Sequence, residues 1–249
     1  MNRIEIVQTV LNKVGGKTYL EIGVQKGVSF FPIKAKRKIG IDPKFNLSLY
    51  LLVLAKRRLT NILSVKNEKF FGMTSDEFFH EKYTLFTQEK IDVALIDGLH
   101  TYKQSLQDVL NCLSHLNERG VIVIHDCNPS SETIAYPATS IKEAKKLNLP
   151  GWDGRWSGDV WKTVVYLRSF RNDLCVFVLD CDYGIAVVAR GKPENMLTFA
   201  KEEIEKMSYK DLASKRNELL NLKEPNYLYD FLKGFEQVEV KGIDLPPKK

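Results

Sequence analysis

Five short β-forming runs, separated by helix-compatible stretches, constrain this chain's fold more than any other feature. They are Thr18–Val24 (TYLEIGV), Arg37–Asp42 (RKIGID), Glu68–Gly72 (EKFFG), Ile91–Asp97 (IDVALID) and Val121–Asp126 (VIVIHD). Each is short and rich in Val, Ile or Phe, and three end on an acidic residue. Between the fourth and fifth lies Tyr102–Leu116, where Leu106, Val109, Leu110 and Leu113 form one apolar face at helical spacing. Strands alternating with helices in this way imply βαβ units and a parallel sheet covered on both faces.

Two further β runs, Leu174–Leu179 (LCVFVL) and Tyr183–Ala189 (YGIAVVA), are separated only by Asp180–Asp182 and read as a hairpin. One strand at the far edge should therefore run antiparallel. The expected fold is α/β and Rossmann-like, with a seven-stranded, mostly parallel sheet. Ahead of it, Ile4, Val7, Leu11 and Val14 recur at the spacing of an amphipathic helix. After Gly191 the composition shifts, and Asn195–Gly234 is charged and helical in pattern, interrupted by Pro225. This places the main domain at residues 1–192 and a C-terminal helical appendage and tail at 193–249, with Pro246–Lys249 expected to fray.

The chain has 249 residues, enough for one sizeable core. Cys112, Cys127, Cys175 and Cys181 include no C-x-x-C pair, so neither a zinc site nor a disulfide framework is expected. The start lacks an apolar leader segment, and the longest nearly apolar run, Leu47–Ala55, is far short of the ~20 residues of a membrane span. A cytoplasmic location is the expectation. The net charge of +6 comes from scattered lysines, with tight basic clusters only at Lys34–Lys38 and Lys56–Arg58. Leu47–Ala55 reads as buried core, with a dimer interface or, together with the basic cluster after it, a membrane-surface helix as the other readings. A homo-oligomer stays open.

The first β run leads into Glu21-Ile22-Gly23-Val24-Gln25-Lys26-Gly27-Val28-Ser29, a glycine-bounded turn expected to open a helix. Glycine lets the backbone turn tightly and approach a ligand, and a helix start offers unpaired N–H groups. The spacing is not the dinucleotide fingerprint, because Gln25 stands where its middle glycine would be. Glu21 would repel a pyrophosphate but suits an ammonium or sulfonium. Asp42 ends the second run 19 residues after Gly23, the place of a carboxylate that accepts from ribose hydroxyls. A nucleoside without a pyrophosphate is implied, and S-adenosylmethionine fits. The cofactor-binding candidates are Glu21, Gly23, Gly27, Ser29, Asp42, Met73, Thr74 and Asp97. Met73 and Thr74 are expected against the adenine plane, although Thr74 or Ser75 also reads simply as a helix cap.

The fourth and fifth runs deliver Asp97, His100, His125 and Asp126 to the carboxyl end of the sheet, where ligands of open α/β sheets bind. Two carboxylates and two imidazoles could hold a divalent cation. The series E-I-G…G-x-S, G-I-D-P, L-I-D-G-x-H-x-Y…D-V and H-D-C-x-P resembles the class I S-adenosylmethionine-dependent methyltransferases. It is most similar to the macrolide and cephalosporin biosynthetic O-methyltransferases and more distantly to catechol O-methyltransferase. The resemblance covers roughly residues 15–190. It implies Asp97 and Asp126 as metal ligands and His100 as the base that deprotonates the acceptor hydroxyl. Such enzymes carry two oxygen donors on the fifth strand. Here His125 stands in the first of those two positions, a softer donor and the third member of the expected Asp97, His125, Asp126 metal set, which brings manganese or a metal-free site into view beside magnesium.

All three tryptophans lie between Pro150 and Lys162. Trp161 reads as core. Trp152 and Trp156, with Arg155, read as a mobile lid suited to a sugar or aromatic acceptor. The expected activity is methyl transfer to a hydroxyl of a sugar or other small-molecule natural product. A nucleic-acid methyltransferase is the enzymatic rival, motivated by the basic charge. Against it, Asp97-Gly98-Leu99-His100 is not the Asn/Asp-Pro-Pro-aromatic motif of the amine-methylating kind, and nucleic acid is not the expected partner. A non-catalytic scaffold that keeps the fold is the rival of another class.

Overall fold

The computed structural model describes residues 1–44 and 67–236. The run Leu47–Ala55, the cluster Lys56–Arg58 and the tail from Pro246 lie outside the described residues.

Among the described residues the eight strands are β1 (Thr18–Ile22), β2 (Arg37–Ile41), β3 (Glu68–Phe71), β4 (Ile91–Ile96), β5 (Leu116–Ile124), β6 (Leu174–Leu179), β7 (Ile185–Arg190) and the two-residue β8 (Leu222–Lys223). They form one sheet in the order β3-β2-β1-β4-β5-β7-β6-β8. β1 to β5 are mutually parallel. β1 is buried along its whole length and β4 along nearly all of it, as strands covered on both faces must be. All seven expected strands are present, and β8 is an addition, parallel to β6. The hairpin differs in one respect. Its antiparallel strand is not at the edge: β7 inserts between β5 and β6 and runs antiparallel to both. Ile185–Ala189 are all buried, and this interior position covers them on both faces.

The helices are α1 (Arg3–Val14), α2 (Ser75–Lys82), α3 (Tyr102–His115), α4 (Ile141–Lys146), α5 (Trp161–Phe170), α6 (Lys201–Lys206), α7 (Tyr209–Leu220) and α8 (Tyr227–Glu236). Asn2 caps α1, accepting from Ile4 and Glu5, and Gly15 closes it at φ 64°. Its face Ile6, Val7, Val10 and Leu11 covers one side of the sheet together with Phe30, Leu228 and Leu232. On the other side Phe78, Val109, Cys112, Trp161, Val164, Ile204, Leu212 and Leu219 share a second core layer. The residues beyond 192 thus contribute to both layers: α6 and α7 pack on α5, and α8 packs beside α1. Arg168 of α5 donates to the Leu219 carbonyl at 3.0 Å, tying α7 to the same face.

The helix expected after Gly27 does not form. Phe31 N–H reaches the Gly27 carbonyl at 3.1 Å, a single turn, and Pro32 then stops it by removing a donor and restricting the residue before it. The basic cluster Lys34–Lys38 is partly internal. Lys38 is buried, pairs with Glu68 at 3.0 Å and lies over the Phe30 ring. No helix among the described residues is long and apolar enough to cross a membrane.

Candidate active site

β1, β2, β4 and β5 all end at one edge of the sheet, and the loops that follow them build the site. Gly23 leaves β1 at φ 92°, and a Cβ there would sit 2.0 Å from the Asp97 carbonyl oxygen, so only glycine fits. Gln25 takes φ 46°, and its N–H donates to Asp42 Oδ2 at 2.7 Å. The Lys44 N–H donates to Asp42 Oδ1, also at 2.7 Å. Asp42 therefore holds the glycine loop against the end of β2, with lone pairs on both oxygens left for a ligand. Gly27, at φ 73°, faces the Phe31 ring.

Glu21 stands elsewhere than expected. It is fully buried behind the loop and lines neither of the cavities described below. Its oxygens accept from the Tyr19 hydroxyl at 2.5 Å and from Ser29 Oγ at 2.6 Å. Burial pushes its carboxyl up to about 7, against the opposing pull of those two hydrogen bonds. Glu21 braces Ser29 and with it the loop. Thr74 caps α2 in a reciprocal box with Glu77 and also lines the first cavity. Met73 packs against the core and lines neither cavity.

Two adjoining cavities share Gly23, Gln25, Asp97 and Gly98. The first, about 290 Å³, lies between Asp42, Thr74 and Asp108. The second, about 270 Å³, runs from Ser29 to His100, His125 and Asp126. A larger open groove of about 860 Å³ between α1 and α8 is lined by residues such as Ile4, Gln8, Pro32 and Tyr229 and gathers no comparable set of acids and imidazoles.

In the second cavity the acids and imidazoles meet. His100 Nε2 is 3.4 Å from Asp97 Oδ1, and His100 Nδ1 is 3.4 Å from Asp126 Oδ2. His100 Nδ1 lies 2.6 Å from the Trp156 carbonyl, which can only accept. Nδ1 therefore carries a proton, and Nε2, beside Asp97, is the nitrogen at which the ring gains or loses its second proton. Burial would lower the His100 pKa, but Asp97 and Asp126 outweigh it and the net shift is upward. Burial would likewise raise Asp97, yet hydrogen bonds from His100 and His125 hold its carboxyl well below the usual carboxylate range. One donor atom each from Asp97, His100 and Asp126 lies within 4.8 Å of the others, a spread that fits a divalent ion. In this cluster His100 stands where His125 was expected.

His125 is engaged with acids on every side. Its Nδ1 is 2.9 Å from Asp126 and 3.3 Å from Asp97, and its Nε2 is 3.5 Å from Asp182. Burial opposes the charge, but these carboxylates push its pKa up to about 11. Arg3 Nη1 lies 2.5 Å from the same Nε2, a contact that asks for a neutral ring. Three carboxylates outweigh one guanidinium, and the upward direction holds. Arg3, on the first turn of α1, also comes within 3.7 Å of Asp97 and donates its N–H to Asp182. Neither Arg3 nor Asp182 carries a motif that would single it out in the sequence. Backbone strain gathers here as well: Asp126, Asp182 and Tyr183 all take positive φ.

The tryptophan loop is a brace rather than a lid. Trp156 is 6% exposed, stacks on the His100 imidazole at 5.4 Å between centroids, and donates its indole N–H to the Tyr136 carbonyl. Ser157 Oγ donates to Asp126 Oδ1 at 2.6 Å. A Cβ on Gly158 would sit 1.9 Å from the His100 carbonyl oxygen. Trp161 is core, as expected. Arg155 lies over the half-exposed Tyr183 ring, at the rim beside His125.

The family model described as methyltransferase domain matches residues 20–127, from β1 to just past β5. Over that stretch the chain is similar to methyltransferase domains. Solved structures share its fold. A methyltransferase of Podospora anserina, PaMTH1, with SAH bound, is 16% identical and aligns over 76% of this chain and 77% of its own, at a TM-score of 0.52. The cofactor-bound Rv0187 protein from MTB is 10% identical over 76% and 81%, with a TM-score of 0.50. No curated protein matches the chain at the level of sequence.

Proposed function

We propose that the chain transfers a methyl group from S-adenosylmethionine to a hydroxyl of a small-molecule acceptor. The carrying observation is the adjacency of two halves of such a site. A glycine loop pinned to Asp42 adjoins a carboxylate–imidazole cluster, with Asp97 and Gly98 shared between them. Gly23, whose Cβ would fill the cradle, and Asp42, with its remaining lone pairs, fit a nucleoside. Asp97, held ionised, suits the cofactor's ammonium group. When bound, the cofactor supplies an electrophilic methyl group.

The chain's own residues then position and activate the acceptor. An alcohol is a poor nucleophile at neutral pH, and a base at its oxygen addresses that directly. His100 fills the role: its Nδ1 proton is committed to the Trp156 carbonyl, leaving Nε2 to accept the hydroxyl proton beside Asp97. Asp97 and Asp126 stabilise the imidazolium that results. Alignment of donor and acceptor supplies much of the remaining acceleration. Arg155 and Tyr183 at the rim suit a sugar or aromatic acceptor.

A second reading rests on the convergence of Asp97, His100 and Asp126. These residues would hold a divalent cation, which lowers the pKa of a bound hydroxyl. His100 Nε2 is then a ligand and not the base. Methyl transfer from labelled donor to a panel of hydroxylated metabolites, before and after exhaustive chelation, tests both. Transfer to a hydroxyl supports the activity, and loss on chelation with recovery on added magnesium or manganese selects the metal reading. Failure across sugars, polyketides and phenols would sink the small-molecule reading and leave nucleic acid or a scaffold role.

A further inference from the structure

We propose that Asp108 reads the base of the bound nucleoside, its Oδ2 accepting a hydrogen bond from the exocyclic amine of adenine. The inference rests on the cofactor reading above and adds to it the residue that sets base specificity. Asp108 lies in the middle of α3 and is 1% exposed. Its two oxygens are not equivalent. Oδ1 accepts from Ser75 Oγ at 2.6 Å and from Gln104 Nε2 at 3.1 Å. Oδ2 is buried and has no hydrogen-bond partner among the described residues. Buried polar atoms are nearly always satisfied, and leaving an acceptor unmet carries its full desolvation cost. A donor brought by a ligand in the adjoining cavity would meet this oxygen.

Asp108 lines the first cavity together with Gly98, Asp42 and Thr74. Gly98 lies against this oxygen: a Cβ on it would come within 3.7 Å of Asp108 Oδ2. Asp42, which suits the ribose, lines the same cavity. A nucleoside with its ribose at Asp42 would have its base in the space that Thr74, Gly98 and Asp108 also line. Burial also pushes the Asp108 carboxyl up to about 6, despite the opposing hydrogen bonds from Ser75 and Gln104, so above neutral pH it is ionised and can only accept. Adenine meets that with an amine. A 6-oxo purine presents an acceptor at the same position, and a site built to bond an N–H rejects the analogue lacking it far more strongly than an apolar pocket does.

The test compares S-adenosylhomocysteine with S-inosylhomocysteine, its 6-oxo analogue, by titration calorimetry at pH 8 on the full chain. Wild type should bind the adenosyl compound at least about 100-fold more tightly. In Asp108→Asn, Ser75 and Gln104 keep the amide oxygen at the Oδ1 position, which turns the amide NH₂ into the cavity. The preference should collapse or invert, a change that a merely structural role would not produce. Equal affinities in wild type, or an unaltered preference in Asp108→Asn, would overturn the proposal. Should Asp108→Asn fail to fold, the two wild-type affinities decide alone. Folded wild type that binds neither compound would overturn the cofactor reading itself, and the role of Asp108 with it.

Discussion

Glu21→Gln isolates one buried carboxyl and should make the protein more stable at alkaline pH. Glu21 is fully buried, and its pKa stands at about 7 against an ordinary 4.5. The groups that face it are Tyr19 and Ser29, which donate to it, and Asp97 and Lys38 at longer range. A carboxyl whose folded pKa is raised contributes stability that is fully present below its unfolded pKa and is lost as pH rises through the folded one. The window is therefore about pH 4.5 to 7. A shift of some 2.5 units corresponds to about 3 kcal/mol at about 1.4 kcal/mol per unit, of which roughly 2.5 kcal/mol falls between pH 5 and 8. Glutamine keeps the shape and cannot ionise, and the Ser29 hydroxyl can turn to accept from its amide. Urea unfolding of both proteins at pH 5 and pH 8 reads the difference. The stability of Glu21→Gln relative to wild type should rise by about 2–3 kcal/mol from pH 5 to pH 8, or roughly 5–10 °C in Tm. Parallel pH profiles for the two proteins would refute the reasoning, because they would mean that Glu21 is not desolvated.

Three other substitutions probe the site. Gly23→Ala places a Cβ against the Asp97 carbonyl at φ 92° and should cost at least about 1–3 kcal/mol while abolishing nucleoside binding, read by thermal melting and calorimetry on one preparation. Trp156→Ala removes a buried ring and the stack on His100, so it should destabilise by about 3 kcal/mol or more and lower turnover even at temperatures where the protein is folded. His100→Ala should lower turnover about 10²–10⁴-fold with nucleoside affinity retained. A folded His100→Ala protein of near-normal rate would leave the base unassigned.

The positions of Asp42, Asp97, His100 and Asp126 were legible because each follows the end of an apolar run, and parallel strands end at one edge. What the runs could not reveal was the direction of side chains on strands buried on both faces. Glu21 alternates away from the cavity into the layer with Tyr19 and Ser29, and no periodicity in a wholly buried strand announces that. The loss of the helix after Gly27 was legible in Pro32, which cannot continue it. The insertion of β7 depends on the pairing of a hairpin with a distant strand, which local sequence does not encode. Trp156 looked mobile from its glycine-rich surroundings. Its burial follows from contacts with Tyr136 and His100, far along the chain. Arg3, Asp182 and Asp108 act through equally long-range contacts, and of the three only Asp108 lay within a recognisable motif.

Calorimetric titration of the full chain with S-adenosylhomocysteine measures nucleoside binding at the glycine loop directly. One compound per chain should bind wild type. Asp42→Ala, which removes a charge-assisted bond to ribose worth about 1.5–3 kcal/mol, should bind roughly tenfold to a hundredfold more weakly. Folded wild type that takes up no S-adenosylhomocysteine, or an Asp42→Ala variant of unchanged affinity, would contradict it.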